Sequence, residues 1–201
     1  MEKKIVFATS NPHKVREVRE MLAPLGYEVL SLKDLGLTVD AEEIASDFEG
    51  NARIKAFDIL PKCDYPVLSD DSGLCIHALD GFPGVHSARF MEGHTYEEKC
   101  NAIIDMLKNK KDRSATFYTA MVYMDKRRGI DLCFMGETEG EIADFFDKEA
   151  PDQFGYDPVF YSYDLKKTFG RAAPEEKDSI SHRGRALRKL FGYLKDHAQE
   201  E

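Results

Sequence analysis

Two long runs of strand-forming residues, SATFYTAMVYMD (Ser114–Asp125) and GIDLCFMGETEGEI (Gly129–Ile142), are joined through a basic turn, Lys126 to Gly129. Runs this rich in Thr, Tyr, Phe, Val and Ile read as strands, and so short a turn predicts that they pair antiparallel. The first half of the chain makes a different demand. KIVFATS (Lys4–Ser10) reads as a short buried strand. Val15, Val18, Leu22 and Leu25 then recur at helical spacing, and Gly26 closes the pattern. YEVLSL, from Tyr27, reads as a second strand, and a helix is expected over Asp47 to Leu60, with Ala52, Ala56 and Ile59 on one face, ending before Pro61. A third strand begins at Pro66 and is followed by GLCIHAL; Thr95 caps a third helix, with Glu98 completing a capping box. DPVFYS (Asp157–Ser162) is expected to be a strand, and Leu187, Leu190, Phe191 and Leu194 define a terminal amphipathic helix. Strand–helix alternation predicts parallel pairing, so the whole reads as an α/β protein with a mixed sheet. At 201 residues the chain fits a single domain.

Composition narrows the partners. The 28 Lys and Arg face 37 Asp and Glu, for a net charge of -9, which disfavours broad docking on nucleic acid but leaves room for a small anion held by local positive charge. The four cysteines, Cys63, Cys75, Cys100 and Cys133, show no zinc or disulfide spacing, as in a reduced cytosolic protein. No stretch approaches the ~20 apolar residues of a membrane span, and MEKKIVFATSNPHK has too short an apolar run for a signal peptide. A cytoplasmic protein is expected.

Several stretches carry chemistry. In PVLSDDSGL, Asp70 and Asp71 are adjacent carboxylates that repel one another; they suit either a solvated turn or a cation between them. FATSNPHK places Thr9, Ser10, Asn11 and Lys14 at a strand-to-helix junction, where backbone amides either bind an anion or are capped by Ser10 or Asn11. It lacks the glycines of a Walker loop. PEEKDSISHRGRAL gathers Lys177, His182, Arg183 and Arg185 ahead of the last helix, either as a phosphate or purine site or as a solvated helix start. FGYDPVF sets Phe154 and Tyr156 around Gly155, with Asp157 before Pro158; its aromatics suit either base stacking or a core. DAEEIASDFEGNARIKA adds Glu42, Glu43, Asn51 and Lys55, the acidic residues reading equally as a solvated face. Together, two carboxylates, an anion loop, a basic cluster and an aromatic shelf describe one ligand, a nucleoside triphosphate with magnesium.

These motifs, in this order, resemble the inosine triphosphate pyrophosphatase family, also called non-canonical purine NTP or dITP/XTP pyrophosphatases. The resemblance rests on TSNPHK, FEGNARIKA, SDDSGL, GFPGVHSARF, FGYDPVF and EEKDSISHRGRAL and spans nearly the full length. It implies an elongated mixed sheet flanked by helices, two lobes with an active-site cleft between them, and a homodimer. It implies magnesium-dependent hydrolysis of ITP, dITP and XTP to the monophosphate and pyrophosphate. By the same resemblance, Thr9, Ser10, Asn11, Pro12, His13 and Lys14 form the triphosphate loop. Glu43 is a metal ligand, Asp71 the metal-binding general base, Asp70 a support of the metal shell, and Ser72 a substrate contact. Phe154, Gly155, Tyr156 and Asp157 form the base-stacking segment, and Lys177, His182 and Arg183 contact phosphate and base. One departure stands out: EIASDFEGNA places Gly50 where the family often has Glu. The rivals are a related pyrophosphatase of modified pyrimidines or methylated bases, and a nucleotide-binding regulatory module without turnover.

Overall fold

A computed structural model describes residues 3–197. In chain order the elements are β1 (Lys4–Phe7), α1 (Pro12–Leu22), β2 (Glu28–Ser31), α2 (Leu32–Leu35), α3 (Phe48–Ile59), β3 (Val67–Ile76), α4 (Tyr96–Met106), β4 (Ser114–Asp125), β5 (Ile130–Ile142), β6 (Phe160–Ser162), β7 (Lys167–Thr168), α5 (Pro174–Ile180) and α6 (His182–Asp196). The strands form one sheet in the order β2-β1-β3-β4-β5-β6-β7. It is mixed: β1 is parallel to β2 and β3, while β5–β6 and β6–β7 are antiparallel. No helix among the described residues is long and apolar enough to cross a membrane.

The chain divides into two compact units. The first contains the residues up to Asp71, Thr119–Gly136 and those from Arg185 on. Successive side chains of β1, β3 and β4 point to opposite faces of the sheet, and in this unit both of those faces are buried. Ile5, Phe7, Leu68, Met121 and Tyr123 pack with Val15, Val18 and Leu22 of α1 and Leu187, Leu190 and Leu194 of α6. Val6, Ala8, Val67, Ala120 and Val122 pack with Ala52, Ala56 and Ile59 of α3. The second unit, Ser72–Tyr118 and Glu137–Gly184, has its own core of Leu74, Ile76, Ile103, Leu107, Phe117, Tyr156, Phe160 and Phe169.

Local chemistry explains most boundaries. Gly26 adopts φ 75° and ends the turn after α1, and Thr95 and Glu98 form the expected capping box of α4. Four expectations need correction. The Asp70-Asp71 pair lies inside β3, which continues to Ile76, rather than in a turn or at a strand's end. The first strand stops at Phe7, and the strand expected from Asp157 begins only at Phe160, because the chain turns over Gly155 at φ 60°. Lys177 lies on a helix of its own, α5, not on a turn leading into α6.

Candidate active site

In the first unit, β1 has parallel neighbours on both sides: α1 leads to β2 on one, and the chain returns through α3 to β3 on the other. Crevices at the carboxyl ends of strands flanking such a reversal are where α/β sheets bind ligands. Phe7 pairs with Leu68, so Asp70 and Asp71 project just beyond the end of β1. Alternation sends the two carboxylates to opposite faces of the sheet, and each meets a lysine from the helix on its side. Asp70, with a fully buried side chain, accepts from Lys14 Nζ of α1 at 2.8 Å. Asp71 faces α3, where Asn51 Nδ2 donates to Oδ2 at 3.2 Å and Lys55 Nζ lies 3.5 Å from Oδ1. In the fold, a lysine beside each carboxylate offsets their repulsion.

Glu43 completes the α3-side cluster, its Oε1 lying 3.1 Å from Lys55 Nζ. Asn51, fully buried, also accepts from Ala45 N at 2.9 Å, tying the loop that carries Glu43 to the helix that faces Asp71. Gly50 permits this: a Cβ there would lie 2.6 Å from Ala45 Cβ, so a larger residue would push the loop away. Burial pushes the Asp71 carboxyl up, Lys55 opposes it, and Glu43 and Asp70 add to the rise. Burial pulls the Lys55 ammonium down, but Asp70, Asp71 and Glu43 outweigh it and keep Lys55 charged. A carboxylate so placed is a stronger base than one in water.

The donor chemistry fits magnesium: Glu43 and Asp71 offer hard oxygens that already converge on one cation, the Lys55 ammonium. Among the described residues no three His, Cys, Asp or Glu side chains are gathered as a metal-holding group. Magnesium commonly takes one or two protein carboxylates and completes its shell with water and substrate phosphates.

At the α1 terminus the capping alternative is realised. Asn11 Oδ1 accepts from His13 N at 2.9 Å and Lys14 N at 3.4 Å, and Thr9 Oγ1 accepts from Asn11 N at 3.2 Å. Ser10, Pro12 and His13 are exposed. Thr9, Ser10 and Pro12 also line a cavity of about 920 Å³ that extends over α1 to Leu32 and Val39.

The second unit holds the remaining motif residues. Lys177 Nζ donates to Asp152 Oδ2 at 3.2 Å and to Asp157 Oδ2, and lies 5.9 Å from the ring centres of Phe154 and Phe169. Burial pushes Asp157 up to about 6, with Lys177 opposing. His182 stacks on Phe117 with centroids 4.8 Å apart, and His182 and Arg183 are both buried. Tyr156 belongs to the core, its hydroxyl donating to Ser87 O at 2.7 Å, and Phe154 is half-buried. Ser72, half-buried, opens this unit's part of β3.

Asn51 and Lys55 are the residues to which sequence reasoning gave no role. Their signal was the i, i+4 spacing within FEGNARIKA, which puts both on one face of α3.

A profile of the Ham1 family matches residues 5–193. The chain is 40% identical over 187 residues to a dITP/XTP pyrophosphatase of Desulfotalea psychrophila, covering 92% of this chain and 82% of the relative. It is 42% identical over 188 residues to a dITP/XTP pyrophosphatase of an Exiguobacterium species, covering 93% and 94%. Among solved structures it is similar to a HAM1 protein from Coxiella burnetii, with TM-score 0.88, 36% identity and coverage of 96% and 98%. It is likewise similar to the Staphylococcus aureus Ham1 protein, with TM-score 0.87, 34% identity and coverage of 97% and 100%.

Proposed function

The chain belongs to the Ham1 family, and on that premise we propose that it is a pyrophosphatase of non-standard purine nucleotides. It cleaves dITP, XTP and ITP to the nucleoside monophosphate and pyrophosphate, removing them from the nucleotide pool. The observation that carries this reading is Asp71: a buried, basic carboxylate held by Asn51 and Lys55 beyond the carboxyl end of β1. Asp71 takes a proton from water as the water oxygen bonds to the α-phosphorus. The bond from that phosphorus to the bridging oxygen breaks, and pyrophosphate leaves with the electron pair. Lys14 shares the charge that develops on the phosphates.

Glu43 and Asp71 are the residues that would hold magnesium, with Asp70 and Lys14 supporting them from the opposite face of β3. When bound, the ion neutralises triphosphate charge and polarises the phosphorus under attack. Thr9, Ser10, Asn11, Pro12 and His13 are assigned to the phosphates and Ser72 to the substrate. Phe154 and its neighbours Gly155, Tyr156 and Asp157, with Lys177, His182 and Arg183, are assigned to the base and phosphate. The reading extends to a cytoplasmic homodimer acting on small molecules and not on nucleic acid or membranes; the net charge of -9 supports the last point.

A 6-keto purine offers an acceptor at position 6 and a donor at N1, and a 6-amino purine reverses both. A site built for the former therefore rejects ATP by leaving buried donors unpaired. The test is pyrophosphate release from dITP, XTP, ITP, GTP and ATP with and without magnesium. Turnover of the first three far above ATP is expected. Equal turnover of ATP and ITP would overturn the assignment.

A further inference from the structure

We propose that Lys55 is a resident counter-ion, holding Glu43 and Asp71 together until a divalent cation takes its place. The proposal rests on the assignment of those two carboxylates as metal ligands. Lys55 Nζ stands 3.1 Å from Glu43 Oε1 and 3.5 Å from Asp71 Oδ1, where a metal shared by the two would have to bind. Its side chain is only 11% exposed, so its charge is poorly screened and would strongly repel an incoming dication. The pair cannot hold both cations in contact, and metal binding becomes an exchange.

The surroundings suit such an exchange. Asp71 is held at one oxygen by a neutral donor that stays, Asn51 Nδ2, and at the other by a charged donor on a flexible four-carbon stem. Asn51 also keeps Ala45 N, and hence the Glu43 loop, anchored from one helical turn before Lys55. The scaffold therefore outlasts departure of the ammonium. Without metal, Lys55 spares the fold the repulsion of two close carboxylates. With metal, it is the competitor that sets how tightly the ion is held.

Lys55→Met keeps much of the stem's length and apolar bulk and removes the charge. Without nucleotide, at pH 8, Mn2+ binding is followed by loss of the free-ion EPR signal. Lys55→Met should bind Mn2+ at least about tenfold more tightly than the wild type, equivalent to about 1.4 kcal/mol, and should melt at a lower temperature before metal is added. Lys55→Arg, which keeps the charge, should restore the metal-free melting temperature and lose the gain in affinity. In the wild type, acylation of the Lys55 amine, followed by peptide mass spectrometry, should accelerate when Mn2+ is added. This readout stands even if Lys55→Met fails to fold. A folded Lys55→Met protein with wild-type or weaker affinity, or a Lys55 amine whose reactivity ignores Mn2+, would overturn the exchange while leaving the ligand assignment intact. If neither protein binds Mn2+, the ligand assignment falls and the exchange with it.

Discussion

Lys14 Nζ donates to Asp70 Oδ2 at 2.8 Å, joining the first turn of α1 to a fully buried carboxylate 56 residues away on β3. Taking away the cation from such a pair is costlier than replacing both members, because the remaining charge stays buried. Lys14→Met should destabilise the protein by about 3 kcal/mol, the lower end of the usual range for a broken buried pair, since Lys14 keeps some exposure. The double variant Lys14→Met/Asp70→Asn should recover most of that loss. Urea unfolding at pH 7.5 checks it, and additive losses would refute the pairing as a stabilising unit.

Asp71→Asn removes charge and basicity while keeping the shape of the side chain. Loss of a general base should lower kcat by about 10²- to 10⁴-fold, while nucleotide affinity changes much less. Retention of more than about a tenth of wild-type kcat by a folded variant would fall short of that range and move the base to Asp70 or Glu43.

Gly184 carries the approach of α6 to α5. A Cβ there would collide with the backbone oxygen of Asp178, whereas one at Gly192, on the same helix, meets nothing within 4 Å. Gly184→Ala should therefore cost about 1–3 kcal/mol as overpacking and raise KM by displacing His182 and Arg183. Gly192→Ala should gain up to about 1 kcal/mol from helix propensity. Thermal melts and steady-state kinetics on the pair separate the two effects.

Asp157 supplies a pH dependence. Its folded pKa of about 6 lies above the ordinary 3.8, so between those values the folded state binds more protons than the unfolded one. Its contribution to stability is full below pH 3.8 and is lost as pH rises through about 6. Relative to Asp157→Asn, the wild type should lose unfolding free energy over that window and stay level above it. The reverse slope in urea titrations would mean that Lys177 outweighs burial.

Where the chain's own chemistry decides structure, the sequence was legible. Val15, Val18 and Leu22 marked α1, Thr95 and Glu98 marked the start of α4, and the hairpin runs became β4 and β5. It was misleading at Asp70 and Asp71, because Asp, Ser and Gly favour turns locally. Lys14 and Lys55, brought by α1 and α3, make a buried strand tolerable there, and nothing adjacent announces them. Lys177 is similar: its ion pair with Asp157 spans 20 residues, so a run that reads as a free basic cluster holds a lysine already engaged. The i, i+4 spacing puts Asn51 and Lys55 on one face of α3 but does not name their partners, Asp71 on β3 and the loop from Glu43 to Ala45, which only the fold brings to that face.

The central claim, that water activated at Asp71 attacks the α-phosphorus, is tested most directly by the fate of the water oxygen. Hydrolysis of dITP in ¹⁸O-labelled water, with products separated and weighed by mass spectrometry, should place one label in the monophosphate and none in an equimolar yield of pyrophosphate. Release of orthophosphate, or label in the pyrophosphate, would contradict it.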